Sequence, residues 1–366
     1  MFLRNAWYVA ARASEVSDNL LSVRMLDDEI VLYRTPAGDP VALADACPHR
    51  KLPLSMGRIV GDRIECGYHG LVFDRSGHCA RVPGGSKPPP GARVRSYPVI
   101  SRYGFLWVWM GDPDKANENR LVTVEHWDSP AWGRNMGGAM TVDCNYLFIT
   151  DNLLDPSHVD WVHRSSFGNH SCAEEPVASK VSAEGVVAER WLYDVEIPPF
   201  YLPLIGFKGR CDRLQRYEVR FPSNAIIRAV FAPSGTGGEN RPLHEQALIM
   251  DSYNFMTPID PNRTRYFWFQ MRNVLPGDEN LSETMDRGIE TAFAEDRAVL
   301  AAVQRGFLNH PSQHIHLATD RAPLQFRRRI AQLLTAENPD STVTDRLLSS
   351  RAEPPPHVRK GGPALA

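Results

Sequence analysis

Two short segments, "CPHR" at residues 47–50 and "CGYHG" at 66–70, constrain this chain more than any other feature. Each offers one thiol and one imidazole, as Cys47-x-His49 and Cys66-x-x-His69, with sixteen residues between His49 and Cys66. The stretch around them holds little that would pack a core, so the fold has to bring two loops together around a metal. Two cysteines and two histidines make a sound tetrahedral zinc site. The usual zinc-finger order, however, places both cysteines before both histidines. Here each pair repeats Cys then His, which suits an asymmetric cluster with two thiolates on one iron and two imidazoles on the other, and zinc stays open as the plainer alternative. Gly57, Gly67 and Gly70 are expected to let backbone approach the cluster's sulfides, where amide N–H groups stabilise the reduced charge. Cys79, Cys144, Cys172 and Cys211 have no spacing partner and read as ordinary semi-buried residues.

A two-iron cluster with mixed Cys and His ligands is of the Rieske type. Its neutral histidines raise the reduction potential to roughly −150 to +300 mV, against about −400 mV for an all-cysteine plant-type cluster. Electrons accepted there need a destination. The next unusual segment is "TDNLLDPSHVDWVH", residues 150–163, read as helical. Asp155 and His158 share one helix face, but His158 and His163 are five apart, about 500° of rotation, which leaves them about 140° out of register. A shared metal therefore requires a local distortion, of the π-bulge type. Leu153, Leu154, Val159 and Trp161 surround these groups and predict partial burial. The alternative is a pair of unrelated, hydrogen-bonded core histidines.

Ferrous oxygenases commonly complete two histidines with one carboxylate. In "ETMDRGIETAFAEDRAVLAAVQR" the residues Ile289, Phe293, Asp296, Leu300 and Val303 step by four, three, four and three, so Asp296 interrupts a buried helical stripe. An unpaired carboxylate there is costly, and a bound cation offsets its desolvation. A salt bridge to an arginine is the competing explanation. The adjacent Glu295 turns to the polar side and reads as a solvated charge.

The rest of the chain sets bounds. With 366 residues and 43% apolar content it has room for two domains, and a net charge of −2 gives no case for nucleic acid or an anionic membrane. The N-terminal "MFLRNAWYVAARASEV" lacks a signal-peptide pattern, no apolar run reaches about 18 residues, and six scattered cysteines make no disulfide framework. The expected location is the cytoplasm. Short β-branched runs separated by turn residues predict a small all-β domain over 1–115. Mixed strand and helix patterns predict an α+β domain over 116–345, with an antiparallel sheet and flanking helices, and residues 346–366 read as a flexible tail.

"CPHR…CGYHG", "DNLLDPSHVDWVH" and "AEDRAVL" together resemble the oxygenase component of Rieske non-haem iron aromatic-ring oxygenases. "NAWYVA", "RYGFLWVWMGDP" and "IDPNRTRYFWFQMRN" make the chain similar to the vanillate O-demethylase oxygenase branch, which includes dicamba O-demethylase, from Asn5 to about residue 335. This resemblance implies that Cys47, His49, Cys66 and His69 hold a Rieske 2Fe-2S cluster and that His158, His163 and Asp296 hold a mononuclear Fe(II). It places Asn152 close to the iron and makes Asp155 the bridge between the centres, linking His158 to His69 of a neighbouring subunit in a head-to-tail homotrimer. It implies a flavin- and ferredoxin-type reductase as electron donor, with NADH or NADPH bound there and not here.

The implied activity is O2-dependent O-demethylation of a methoxylated aromatic acid such as vanillate, releasing formaldehyde and a phenol such as protocatechuate. Hydroxylation of a ring or alkyl group by the same machinery is the alternative. A different-class alternative is an electron-transfer protein with a non-catalytic binding domain. Departures from the family pattern concern the substrate. Lys51 follows "CPHR" where many relatives carry a small residue, putting charge at the cluster edge. Phe200, Tyr201, Phe207 and Trp268 are candidates for an apolar slot or for plain core packing. Arg210 or Lys208 either meets a substrate carboxylate or is solvated. His314 and His316 have the same-face spacing of a strand and, lacking a third ligand, are taken as structural.

Overall fold

A computed structural model of the chain describes residues 1–85, 87–168, 175–310 and 314–339. Cys172 and the tail from residue 346 lie outside the described residues.

The β-branched runs of the N-terminal part become three small antiparallel sheets. Trp7–Arg12, Phe105–Trp109 and Val99–Arg102 form one, in that order. Leu21–Met25, Asp28–Arg34, Pro40–Ala44 and Ser96–Tyr97 form the second. Arg58–Val60, Arg63–Glu65, Val72–Phe73 and Cys79–Arg81 form the third, which carries the Cys66 and His69 loop between two of its strands.

Side chains alternate across a strand, so a strand buried on both faces serves two cores. Asp28–Arg34 does this: Val31 and Tyr33 pack with Cys47, Cys66, Leu43 and Phe73, while Ile30 and Leu32 pack with Leu106, Val108 and the apolar residues of the second half. Phe105–Trp109 does the same. Phe105, Trp107 and Trp109 meet Tyr253, Phe255, Phe267 and Phe269, whereas Leu106 and Val108 face the other way.

The larger half is built on an eight-stranded antiparallel sheet. From one edge, Gly133–Asn135 and Ala139–Val142 both pair with Arg263–Arg272, followed by Leu248–Asp260, Asn224–Pro233, Cys211–Arg220, Gly185–Val195 and Ala178–Val181. Among the described residues four α-helices accompany it: α1 (Tyr146–Asn152), α2 (Val159–Val162), α3 (Glu279–Asn309) and α4 (Arg321–Glu337). Asn145 caps α1 by accepting from Leu147 N–H, and Asp278 caps α3 by accepting from Leu281 N–H. Of the predicted stripe on α3, Ile289, Asp296 and Leu300 are buried and Phe293 and Val303 half-buried, with Met285, Ala292 and Gln304 completing the buried face. α4 lies beside α1, with Arg327 paired to Asp151, and its last carboxylate, Glu337, accepts from the backbone N–H groups of Arg4 and Asn5 at 2.6 Å each. No helix among the described residues is long and apolar enough to cross a membrane.

Two candidate metal centres

The first centre is a turn used twice. Cys47 N–H donates to Leu52 C=O and Lys51 N–H donates back to Cys47 C=O, at 2.9 and 2.8 Å; Cys66, Leu71 and Gly70 repeat the pattern at 2.8 and 3.0 Å. The fifth residue of each turn is left-handed, Lys51 at φ 61° and Gly70 at φ 69°. Both cysteines are buried in the core beside Val31 and Phe73, whereas His49 and His69 stand exposed with ring centroids 4.6 Å apart.

Gly57 and Gly67 have a different task from the one their sequence predicts. A Cβ on Gly57 would lie 2.0 Å from Glu65 O, and one on Gly67 would lie 2.5 Å from Met56 O, so both permit contact between the two loops themselves. Buried Glu65 ties the same region down through Arg58 and Arg81.

The donors of this centre come in two pairs, the Cys47 and Cys66 thiols interacting with each other in the core and the His49 and His69 rings side by side at the surface. Two thiols on one side and two imidazoles on the other fit a body with two metal ions. Burial pushes the Cys47 thiol above its ordinary pKa, with the backbone at His49 opposing and Cys66 adding to the rise. A metal replacing that proton relieves the cost.

The second centre depends on a break that replaces the expected bulge. α1 stops at Asn152, Pro156 opens a 3-10 turn over Pro156–His158, α2 runs only from Val159 to Val162, and His163 lies past its end with φ −106° and ψ 41°. Leaving the helix turns His163 back toward His158, and the ring centroids come within 5.5 Å. Leu153, Leu154 and Val159 are buried as expected, but Trp161 is 59% exposed and packs against Arg164.

Each imidazole is oriented by its outer nitrogen. His158 Nδ1 meets the backbone carbonyl of Asp155, which can only accept, so Nδ1 carries the proton and Nε2 the lone pair. Within the single chain the Asp155 carboxylate is turned elsewhere, its Oδ1 accepting from Ser157 N–H and Oγ–H. His163 Nδ1 lies 2.8 Å from Glu295 Oε2, so Glu295 is a partner of the site and not a solvated charge.

Both Nε2 atoms face Asp296, at 3.8 Å from His158 and 3.3 Å from His163. Asn152 Nδ2 donates to Asp296 Oδ1 at 3.2 Å, and no arginine pairs with Asp296 among the described residues. Burial opposes a charged His163, yet Asp296 and Glu295 outweigh it and hold its pKa above the ordinary value. Two lone pairs and a carboxylate converging in a nearly dry pocket suit a divalent cation.

A mostly apolar cavity opens on this triad, lined among others by Leu153, Phe167, Tyr201, Tyr217, Met250, Ile289 and Phe293. Of the four aromatics expected there, only Tyr201 lines it. Phe200 stacks on Phe167 at 4.3 Å, Phe207 packs near Leu204, and Trp268 is fully buried against Phe293. Arg210 pairs with Asp194 at the surface and Lys208 is exposed, so neither reaches the cavity.

Arg213 lines the cavity where they do not. It sits on the buried face of Cys211–Arg220 with Gln215, Tyr217 and Val219, an alternation that the sequence carries. His314 and His316 are not in a strand; their rings lie 4.7 Å apart in a surface hollow shared with Asn152 and Asp155. Cys79, Cys144 and Cys211 are buried, more fully than semi-buried.

Residues 6–98 match the Rieske [2Fe-2S] domain, and residues 142–336 match the vanillate O-demethylase oxygenase C-terminal domain. The chain is 36% identical to the vanillate O-demethylase oxygenase subunit of Pseudomonas sp. (strain HR199 / DSM 7063), covering 92% of this chain and 96% of that one. It is 36% identical to a putative toluene-4-sulfonate monooxygenase iron-sulfur subunit of Comamonas testosteroni, covering 92% and 99%. The crystal structure of dicamba monooxygenase bound to 3,6-dichlorosalicylic acid superimposes with a TM-score of 0.83 at 31% identity, covering 92% of this chain and 98% of that one, and another structure of that enzyme contains non-haem iron and dicamba. The electron-carrier reading is thereby set aside. With one donor set shaped for two irons and another for one, and with both halves matched over nearly their full lengths, the chain belongs to the Rieske non-haem iron monooxygenases of the vanillate O-demethylase family, which carry a Rieske [2Fe-2S] cluster and a mononuclear iron.

Proposed function

We propose that this enzyme O-demethylates a methoxylated aromatic acid, with vanillate as the substrate to test first. The observation that carries the reading is the His158, His163 and Asp296 triad, two of its members buried and His158 half-buried, opening directly onto an apolar cavity with aromatic walls. Relatives named for vanillate and dicamba O-demethylation support it. Cys47, His49, Cys66 and His69 are the residues proposed to hold the cluster, and the triad is proposed to hold the iron. The cluster supplies electrons singly and the iron supplies activation of O2.

This chain's residues contribute position. Asn152 and Glu295 fix Asp296 and His163, while Phe167, Tyr201 and Phe293 wall the space where an aromatic ring lies. The overall change balances as methoxyarene, O2, NADH and a proton giving phenol, formaldehyde, water and NAD+. The oxidised methyl group forms a hemiacetal, whose C–O bond breaks to leave the phenol, so no dedicated acid or base is needed.

We further propose a head-to-tail homotrimer in which Asp155 bridges His158 to His69 of a neighbouring subunit. Within one chain, among the described residues, no hydrogen bond, ion pair or ring contact joins His49 or His69 to Asp155 or His158. The cysteines and the triad also border separate cores. The exposed Met56 and Tyr68 beside His69 supply an apolar rim for such a contact. The electron donor is a flavin- and ferredoxin-type reductase, and the location is the cytoplasm, in keeping with the unpaired thiols of Cys79 and Cys144.

The test is formaldehyde released from vanillate per NADH consumed, with reconstituted protein, a ferredoxin-type reductase and a no-substrate control. Near-unit coupling supports demethylation. Coupled NADH oxidation with a hydroxylated product and no formaldehyde would replace it with ring or alkyl hydroxylation, the reading favoured by the equal identity to a toluene-4-sulfonate monooxygenase subunit.

A further inference from the structure

Among the described residues, Arg213 is the only charged side chain besides the metal triad that lines the cavity. It is 2% exposed. Its guanidinium lies over the rings of Phe231 and Tyr201, at 5.2 and 5.7 Å, and Nη2 donates to Phe167 C=O at 3.2 Å. Among the described residues Nε and Nη1 have no acceptor in hydrogen-bond geometry and no carboxylate lies within ion-pair distance, so the Tyr201 hydroxyl is the polar neighbour that Arg213 acts on. Its neighbour on the adjacent strand is treated differently: buried Arg190 reaches Gln215 at 2.7 Å and Asp160 at 3.6 Å. A guanidinium out of water with donors unmet is expensive, and the described residues around it offer no counter-charge. The acceptor has to enter through the cavity.

We propose that Arg213 binds an anionic substituent of the aromatic substrate, a carboxylate or a sulfonate, and so sets which end of the ring faces His158, His163 and Asp296. The assignment rests on the cavity being the substrate site of the proposed oxygenation. The planar guanidinium, held flat by two aromatic rings, presents N–H groups in fixed directions to a compact oxyanion, which an ammonium could not do equally well.

The experiment is anaerobic calorimetric titration of the iron-loaded enzyme with 3-methoxybenzoate, 3-methoxybenzenesulfonate and neutral 3-methoxybenzamide. Wild type is expected to bind at least one anion about tenfold or more tightly than the amide, and the preferred anion identifies the substituent. Arg213→Gln is expected to remove that preference by weakening the anion while leaving amide binding within about threefold. Arg213→Lys should retain part of it. Thermal melting and the cluster's visible absorption report whether each variant is folded.

If the variants do not fold, the wild-type comparison decides alone: equal affinity for the amide and both anions overturns the proposal. A preference that survives in folded Arg213→Gln also overturns it. Formaldehyde is measured separately. Its absence alongside an Arg213-dependent anion preference refutes demethylation and keeps Arg213, whereas formaldehyde formed without any anion preference keeps demethylation and refutes Arg213.

Discussion

Replacing Glu295 should weaken the iron site without touching the cluster. Its carboxylate accepts from His163 Nδ1 at 2.8 Å, fixing the tautomer that turns Nε2 toward Asp296 and making the imidazole a better donor. Outer partners of metal-bound histidines are worth about 10–100-fold in metal affinity, or about 1.4–2.8 kcal/mol. The Glu295 side chain is 37% exposed against 5% for His163, so solvent screening places the charge effect at the lower end. Glu295→Gln, which keeps an acceptor and loses the charge, should bind Fe(II) about tenfold more weakly. Glu295→Ala leaves Nδ1–H without its partner and should approach the upper end. The assay is anaerobic competition for Fe(II) with a chelator, with visible absorption of the cluster as internal control. Asp296→Ala supplies the reference: it should lose mononuclear iron altogether and keep that absorption. Wild-type iron affinity in Glu295→Ala would refute the reasoning.

Asp155→Asn should leave both metal centres filled, because Ser157 can still donate to the new amide oxygen, yet slow product formation with purified reductase; unchanged turnover would remove Asp155 from the electron route. Gly57→Ala puts a methyl 2.0 Å from Glu65 O and forces the cluster loops apart, an overpacking cost of about 1–3 kcal/mol, visible as a lower melting temperature and less iron per chain. Arg228 hydrogen-bonds Glu125 and holds its pKa below the ordinary 4.5. That stabilisation is present above the unfolded value and is lost as pH falls through the folded one. The stability gap between wild type and Glu125→Gln, measured by urea denaturation, should therefore be constant near neutrality and close in acid.

What the sequence revealed was mostly what periodicity and spacing encode. The Cys and His repeat, the α3 stripe broken by Asp296 and the strands of both halves all reappear in place, because each depends on neighbours within a few residues. The convergence of His158 and His163 was legible only as a problem. Helical arithmetic shows that an intact helix fails, but not that Pro156 and the end of α2 would solve it by interruption. Glu295 was misread because one exposed side of a helix residue says nothing about a histidine packed across from it. Arg213 had a signal of the same kind as Asp296, a charge on the buried face of an alternating strand, a signal that Arg210 and Lys208 lack. The roles of Gly57 and Gly67 required knowing which backbone crosses the loops, information that no single segment contains.

The strand Asp28–Arg34 is a wall shared by two rooms. Val31 and Tyr33 lean on the core that encloses Cys47 and Cys66, and Ile30 and Leu32 lean on the core that includes Leu153, Val159 and Ile289 beside the iron triad. Close-packed interiors transmit strain, so a change of side-chain volume on one face of this strand is felt on the other, and neither room can be remodelled without the other.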